Sequence, residues 1–129
     1  MFYGTAYKYE APMMWQNQAM FAQNVARLIE YIFKSGYYCT LGDAYRPPET
    51  AALYEARGKG IKDSLHCKRL AIDLNLFDAD GNYLTDSKYY KRFGDYFETL
   101  HIDNRWGGYF KNAEGKSKPD GNHFEMNIK

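Results

Sequence analysis

The sequence predicts an α+β fold, a single domain in which helices flank one central antiparallel β-sheet. Three observations carry that expectation. Apolar residues recur at helical spacing from Gln16 to Lys34. They alternate with mostly polar ones from Leu70 to Phe77, and alternate again from His123 to Ile128 after a stretch of turn chemistry. With 129 residues the chain makes one ordinary domain, residues 1–129, and leaves no room for a second core. A domain of this size buries roughly two thirds of its extended-chain surface and folds without disulfide staples.

The first helix rests on Phe21, Val25, Leu28, Ile29, Ile32 and Phe33, and Gly36 stands just past its end as a stop. Tyr37 to Tyr45 is β-prone and short, which predicts a strand. Pro47-Pro48-Glu49 opens a short helix through about Ala56, since proline is tolerated in a first turn. Gly58 and Gly60 make 57–62 a loop. The strand from Leu70 is the clearest: Leu70, Ile72, Leu74 and Leu76 form an apolar face opposite Ala71, Asp73, Asn75 and Phe77. Asp78-Ala79-Asp80-Gly81-Asn82 is a turn, followed by Tyr83-Leu84 as a return strand. Asp86 or Ser87 caps a helix whose Tyr90, Phe93, Phe97 and Leu100 share a face. His101, at its end, is a cation placed favourably against the helix dipole. Residues 111–122 hold Gly115, Pro119 and Gly121 and read as a surface loop. Phe21, Phe33, Phe93 and Phe97 are expected in the core.

Composition excludes several classes. Lys plus Arg number 17 against 16 Asp plus Glu, so the formal charge of +1 argues against nucleic-acid binding by charge alone. An aromatic content of 18% with 45% hydrophobic residues excludes disorder. No apolar run approaches the roughly 18–20 residues of a membrane span. The first ten residues lack a basic segment followed by an apolar core, so no Sec-type signal peptide is expected and synthesis is assigned to the cytoplasm. Cys39 and Cys67 are too few and too far apart for a disulfide framework or a CxxC site, and are read as reduced side chains. Asp78 and Asp80 are read as a solvated hairpin tip rather than a calcium site.

Three polar segments carry the chemistry. Ser64-Leu65-His66 leads into Ala71-Ile72-Asp73, and the last strand is entered through Asp120-Gly121-Asn122-His123. Asp73 lies opposite Ile72 and Leu74; His123 and Glu125 lie opposite Phe124 and Met126. If the two strands are neighbours, Asp73 and His123 project from one surface, and His66 closes a third corner. Two imidazoles and one carboxylate suit Zn²⁺, and three protein ligands leave a fourth position for water, the catalytic arrangement. Asp120, three residues before His123, stands close to such a metal without binding it. A carboxylate there can take a proton from the activated water and deliver it to the leaving amine. Spacing alone leaves other readings open: three histidines and many aspartates permit several such sets. His66 also reads as a loop histidine, His123 as a half-exposed strand residue and Asp73 as a surface carboxylate, although the two-faced strand argues against the last.

The pattern Ser64-x-His66-x-x-x-x-Ala71-x-Asp73, followed by Asp120-x-x-His123-Phe124-Glu125, resembles the VanY-type zinc D-Ala-D-Ala carboxypeptidases and L-alanyl-D-glutamate endopeptidases, members of the LAS metallopeptidases. Asp43-Ala44-Tyr45-Arg46 is similar to the arginine segment of that family, and Arg105-Trp106-Gly107-Gly108 to the Trp-Gly-Gly stretch of its phage endolysin branch. The resemblance runs from about Cys39 to Met126. It implies the LAS (hedgehog/D-Ala-D-Ala peptidase-like) fold, Zn²⁺ held by His66, Asp73 and His123, and Asp120 as general base. It implies that Arg46 orients the substrate and stabilises charge on the attacked carbonyl oxygen, and that Ser64 is an orienting residue rather than a nucleophile. Trp106 and Tyr109 are expected on the cleft wall. Glu125, on the His123 face, is placed to fix a ligand's tautomer.

The resemblance implies a peptidoglycan hydrolase that cuts the L-Ala–D-Glu amide of the stem peptide, because the Trp-Gly-Gly segment and the bare single domain are similar to the phage branch. A D-Ala-D-Ala carboxypeptidase or dipeptidase is the alternative within the fold. A non-enzymatic zinc-containing recognition module is the alternative of another class, against which Asp120 beside a three-ligand site argues. No separate wall-binding domain, a monomeric state and no nucleic-acid partner are expected. Without a signal peptide, such an endolysin collects in the host cytoplasm and reaches the wall after holin-type release.

Overall fold

The computed structural model describes residues 11–58 and 64–128. The ten residues read for a signal peptide, and 59–62 of the expected glycine loop, lie outside the described residues. In chain order the elements are α1 (Met14–Lys34), β1 (Tyr38–Leu41), α2 (Pro48–Ala56), a 3₁₀ turn (Leu65–Lys68), β2 (Ala71–Phe77) and β3 (Tyr83–Leu84). A 3₁₀ turn (Ser87–Tyr90), α3 (Lys91–Thr99), β4 (Asn104–Trp106), a 3₁₀ turn (Gly107–Tyr109) and β5 (His123–Met126) complete the chain. None of the described helices is long and apolar enough to cross a membrane.

Helix α1 starts where the Gln16 side chain accepts a hydrogen bond from the Met13 backbone N–H at 2.7 Å. Its buried stripe is Phe21, Asn24, Val25, Leu28 and Ile32, the three-and-four spacing of one helix face. Phe33, expected in the core, is 47% exposed. It stands one position past Ile32, about 100° round the helix, and packs on Tyr38 at the surface. The expected helix from Asp86 divides in two: Asp86 accepts from Lys88 N to cap the 3₁₀ turn, and α3 follows. Tyr90, Phe93 and Phe97 are buried as expected. The Tyr90 hydroxyl donates to Leu84 O and accepts from Leu76 N, which satisfies it inside the core.

The sheet is antiparallel in the order β1-β2-β5-β4, with β3 beside the end of β2. This is the α+β architecture expected. The paired part of β1 is shorter than the β-prone run, yet the chain stays against β2 for two more residues. Gly42 N donates to Asp73 O and Asp73 N to Asp43 O, each at 2.8 Å. Strand β4 was not expected; three residues are too few to display alternation. One face of the sheet (Ile72, Leu74, Leu76, Phe124, Met126) packs against α1 and α3, with Phe97 edge-on to both Phe21 and Phe124. Each such side chain contributes about 1.5–3 kcal/mol on burial. Covering that face leaves the polar residues of β2 and β5 together on the other.

Candidate active site

The condition set by the sequence is met: β2 and β5 are neighbours, and Asp73 lies directly opposite His123 in the register. His66 is delivered by the 3₁₀ turn before β2. That turn begins where Ser64 Oγ accepts from the His66 backbone N–H at 3.1 Å, so Ser64 shapes the turn that presents the histidine. Asp73 Oδ1 lies 3.4 Å from His66 Nε2 and 3.1 Å from His123 Nδ1. One donor atom from each residue falls within 4.8 Å of the others. Two ligands held about 2.1 Å from a tetrahedral zinc stand about 3.4 Å apart, so these spacings suit the ion.

The outer nitrogens of both rings are occupied. His66 Nδ1 lies 2.9 Å from Ala44 O, a carbonyl that only accepts, so Nδ1 carries a proton and, in the neutral ring that a metal would bind, Nε2 offers its lone pair on the Asp73 side. His123 Nε2 lies 2.7 Å from Glu125 Oε1, so in its neutral form Nδ1 would offer its lone pair in the same way. Three donors thus converge, each histidine braced from behind as metal-ligating imidazoles are. Without a metal the charged forms of His123 and Asp73 hold one another. Burial alone would lower the His123 imidazole, but hydrogen bonds to Asp73 and Glu125 raise it to about 9. Burial alone would raise Asp73, but hydrogen bonds from His123 and His66 hold it at about 2.

Asp120 stands beside this cluster on the turn that enters β5. Its N–H donates to Gly107 O at 2.9 Å, and its carbonyl accepts from His123 N at 3.1 Å. The residue is exposed, yet the protein shields its carboxyl from part of the water, and that desolvation pushes its pKa up. The positive charge of His123 opposes the rise and the Asp73 carboxylate adds to it. A side chain added at Gly107 would place its Cβ 2.2 Å from Asp120 O, so only glycine allows this approach.

The structure places Trp106, expected on the cleft wall, in the core at 3% exposure. Its Nε1–H donates to Gly121 O at 2.7 Å, so it braces the Asp120 turn from beneath. The indole fills the gap between Gly94 and Gly108, where any Cβ would lie 2.1 Å from the ring. Tyr109, half exposed, packs edge-on against it. The Arg46 backbone N–H donates to His66 O at 3.1 Å, which ties the arginine segment to the site. Its guanidinium bonds Asp43 at 2.9 Å and lies over the Tyr54 ring. Its Nε is buried with no partner among the described residues. His101, read as a helix-end cation, instead accepts from Asp103 N through Nδ1.

A family model described as D-alanyl-D-alanine carboxypeptidase matches residues 57–126, more than half of the chain. The chain belongs to this peptidase family. Comparison with curated protein sequences found no match. Among solved structures, the L-Ala D-Glu endopeptidase ChiX of Serratia marcescens aligns with a TM-score of 0.62 at 18% identity, over 88% of this chain and 85% of that one. The D,D-pentapeptidase VanY of a VanB-type vancomycin resistance cassette, solved with Zn(II), aligns at 0.54 and 18%, over 82% and 70%. The LD-carboxypeptidase LdcB aligns at 0.56 and 20%, over 83% and 63%. These likenesses are of fold, and they show the LAS architecture that the motif implied. Two features of this metallopeptidase site escaped the sequence reading. The Ala44 carbonyl is backbone and leaves no residue signature. Arg105, noted only as the start of the Trp-Gly-Gly segment, pairs with Glu125 across β4 and β5.

Proposed function

We propose that the chain is a zinc-dependent peptidoglycan hydrolase that cleaves the L-Ala–D-Glu amide of the stem peptide. The observation that carries this reading is the convergence of three ligand atoms, two of them on braced imidazoles, beside an exposed carboxylate with a raised pKa. Zinc held by His66, Asp73 and His123 would supply Lewis acidity toward water and a peptide carbonyl. Asp120 accepts the proton of the attacking water and passes it to the departing amine, the role its raised pKa suits. Arg46 orients the peptide and offers guanidinium hydrogen bonds to the developing oxyanion. Ser64 and Trp106 touch no reacting atom in this scheme; they hold His66 and the Asp120 turn.

The choice of bond is supported by ChiX, an L-Ala D-Glu endopeptidase that aligns along nearly the full length of both chains. The family description favours a second reading, D-Ala-D-Ala carboxypeptidase. Digestion of purified peptidoglycan followed by mass spectrometry of the fragments separates them. A new D-Glu amino terminus supports the first reading and free terminal D-Ala the second. No new amino groups from zinc-loaded protein would sink both, in favour of a recognition module. The partner in either reading is the stem peptide, met by a monomer. The endolysin role, with release from the host cytoplasm through a membrane lesion, belongs to the same proposal.

A further inference from the structure

We infer that the Arg105–Glu125 pair is a positioning device that dictates which nitrogen of His123 faces the metal. The inference rests on the zinc reading above and deepens it. Glu125 is a carboxylate only 5% exposed, and the proposed hydrolysis gives it no part. Burying a charge so far is costly unless it is paired and hydrogen-bonded. Alternation along β5 puts it on the His123 face, and the register sets it between Ala71 of β2 and Arg105 of β4. The small Ala71 side chain leaves room for the carboxylate on that face.

The two carboxylate oxygens have different partners. Oε2 accepts from Arg105, through Nε at 2.8 Å and through Nη2. Oε1 is left to His123 Nε2 at 2.7 Å. Arg105 is itself laid over the Phe110 ring, and Phe110 leans against the His123 imidazole. The carboxylate therefore cannot rotate without losing one partner. The imidazole cannot flip without presenting a C–H to Glu125. In the neutral ring that a metal would bind, a single tautomer survives, with the proton on Nε2 and the lone pair of Nδ1 on the Asp73 side.

The arrangement makes an unusual demand of a conservative change. In Glu125→Gln the shape is kept, but Arg105 only donates and claims the amide oxygen. The amide NH₂ then faces His123 Nε2 and also donates, which drives the imidazole proton onto Nδ1, where the metal must bind. Removing the arginine in Glu125→Gln/Arg105→Met lets the amide turn its oxygen back to His123. The test measures zinc affinity by chelator competition and the His123 tautomer by NMR of the imidazole nitrogens in metal-free protein at alkaline pH, where the ring is neutral, with circular dichroism as the check on folding. Glu125→Gln is expected to weaken zinc binding about 10–100-fold and to move the proton to Nδ1. The double variant is expected to recover at least about tenfold of that loss and the original tautomer. Arg105→Met alone, which leaves the carboxylate able to accept, is expected to lose less than about tenfold. Wild-type affinity and tautomer in Glu125→Gln, or a double variant weaker than the single one, would overturn the inference while leaving the zinc reading intact. A wild-type protein that binds no zinc would overturn both.

Discussion

Gly107→Ala probes the support of the Asp120 turn from outside the proposed reacting groups. The new methyl carbon would fall 2.2 Å from the carbonyl oxygen of Asp120 and 3.0 Å from Cβ of His123. The first neighbour is backbone, so no side-chain rotation relieves it. Ordinary contact begins at 3.4 Å, so the turn must retreat by about 1 Å, a misplacement that can cost about 10²-fold in rate. The retreat carries both groups that matter, because Gly107 O holds Asp120 N and Asp120 O holds His123 N. Overpacking of this kind costs about 1–3 kcal/mol of stability as well. Release of amino groups from peptidoglycan by zinc-loaded protein gives the rate, and urea denaturation gives the stability. A variant within about threefold of wild-type kcat, far inside the 10² expected, with an unchanged urea midpoint, would refute the account of the Trp-Gly-Gly segment.

Asp120→Ala is expected to keep zinc and lose about 10²–10⁴ in rate, whereas His123→Ala loses both metal and rate; metal analysis beside the hydrolysis assay checks the split. For metal-free protein the pH dependence follows from the shifted groups. The His123 imidazolium, raised from 6.5 to about 9, contributes stability that is complete below pH 6.5 and is lost as pH rises through about 9. Asp73, lowered from 3.8 to about 2, contributes stability that is present above pH 3.8 and lost as pH falls through about 2. Urea midpoints of chelated protein should therefore fall on both sides of the window from 3.8 to 6.5, and a flat profile would contradict the network. Trp106→Phe removes the donor to the buried Gly121 carbonyl and part of a ring held between two glycines, with an expected cost of about 2–4 kcal/mol. An unchanged midpoint would put the indole outside the core.

Much of the scaffold was legible because period is a local property. The stripe of α1, the two-faced strand β2, the proline-led start of α2 and the Asp78–Asn82 turn each declare themselves within a few residues. Phe33 failed because it sits at the edge of a helical stripe, where a shift of one residue turns an apolar side chain to solvent. β4 failed because three residues show no period, and Arg105 went with it. Trp106 departs from expectation for a different reason: a tryptophan followed by two glycines reads alike as a cleft wall or a core plug. Only the positions of Gly94 and the Gly121 carbonyl separate the two.

The candidate site divides along the same line. The order of residues along the chain settles which side chains share a face, Asp73 on one strand and His123 with Glu125 on another, since alternation is set by the backbone. It also supplied the chemistry, two imidazoles and a carboxylate with a second carboxylate three residues upstream. That β2 pairs with β5 in the register that sets Asp73 against His123 depends on the packed domain. That pairing follows from burying the apolar faces of both strands under α1 and α3, a condition on the whole domain. Tertiary structure also chose the candidate ligand atoms, Nε2 of His66 and Nδ1 of His123, because the partners that hold the opposite nitrogens are the Ala44 carbonyl and Glu125. A residue name carries no tautomer; the group hydrogen-bonded behind the ring does.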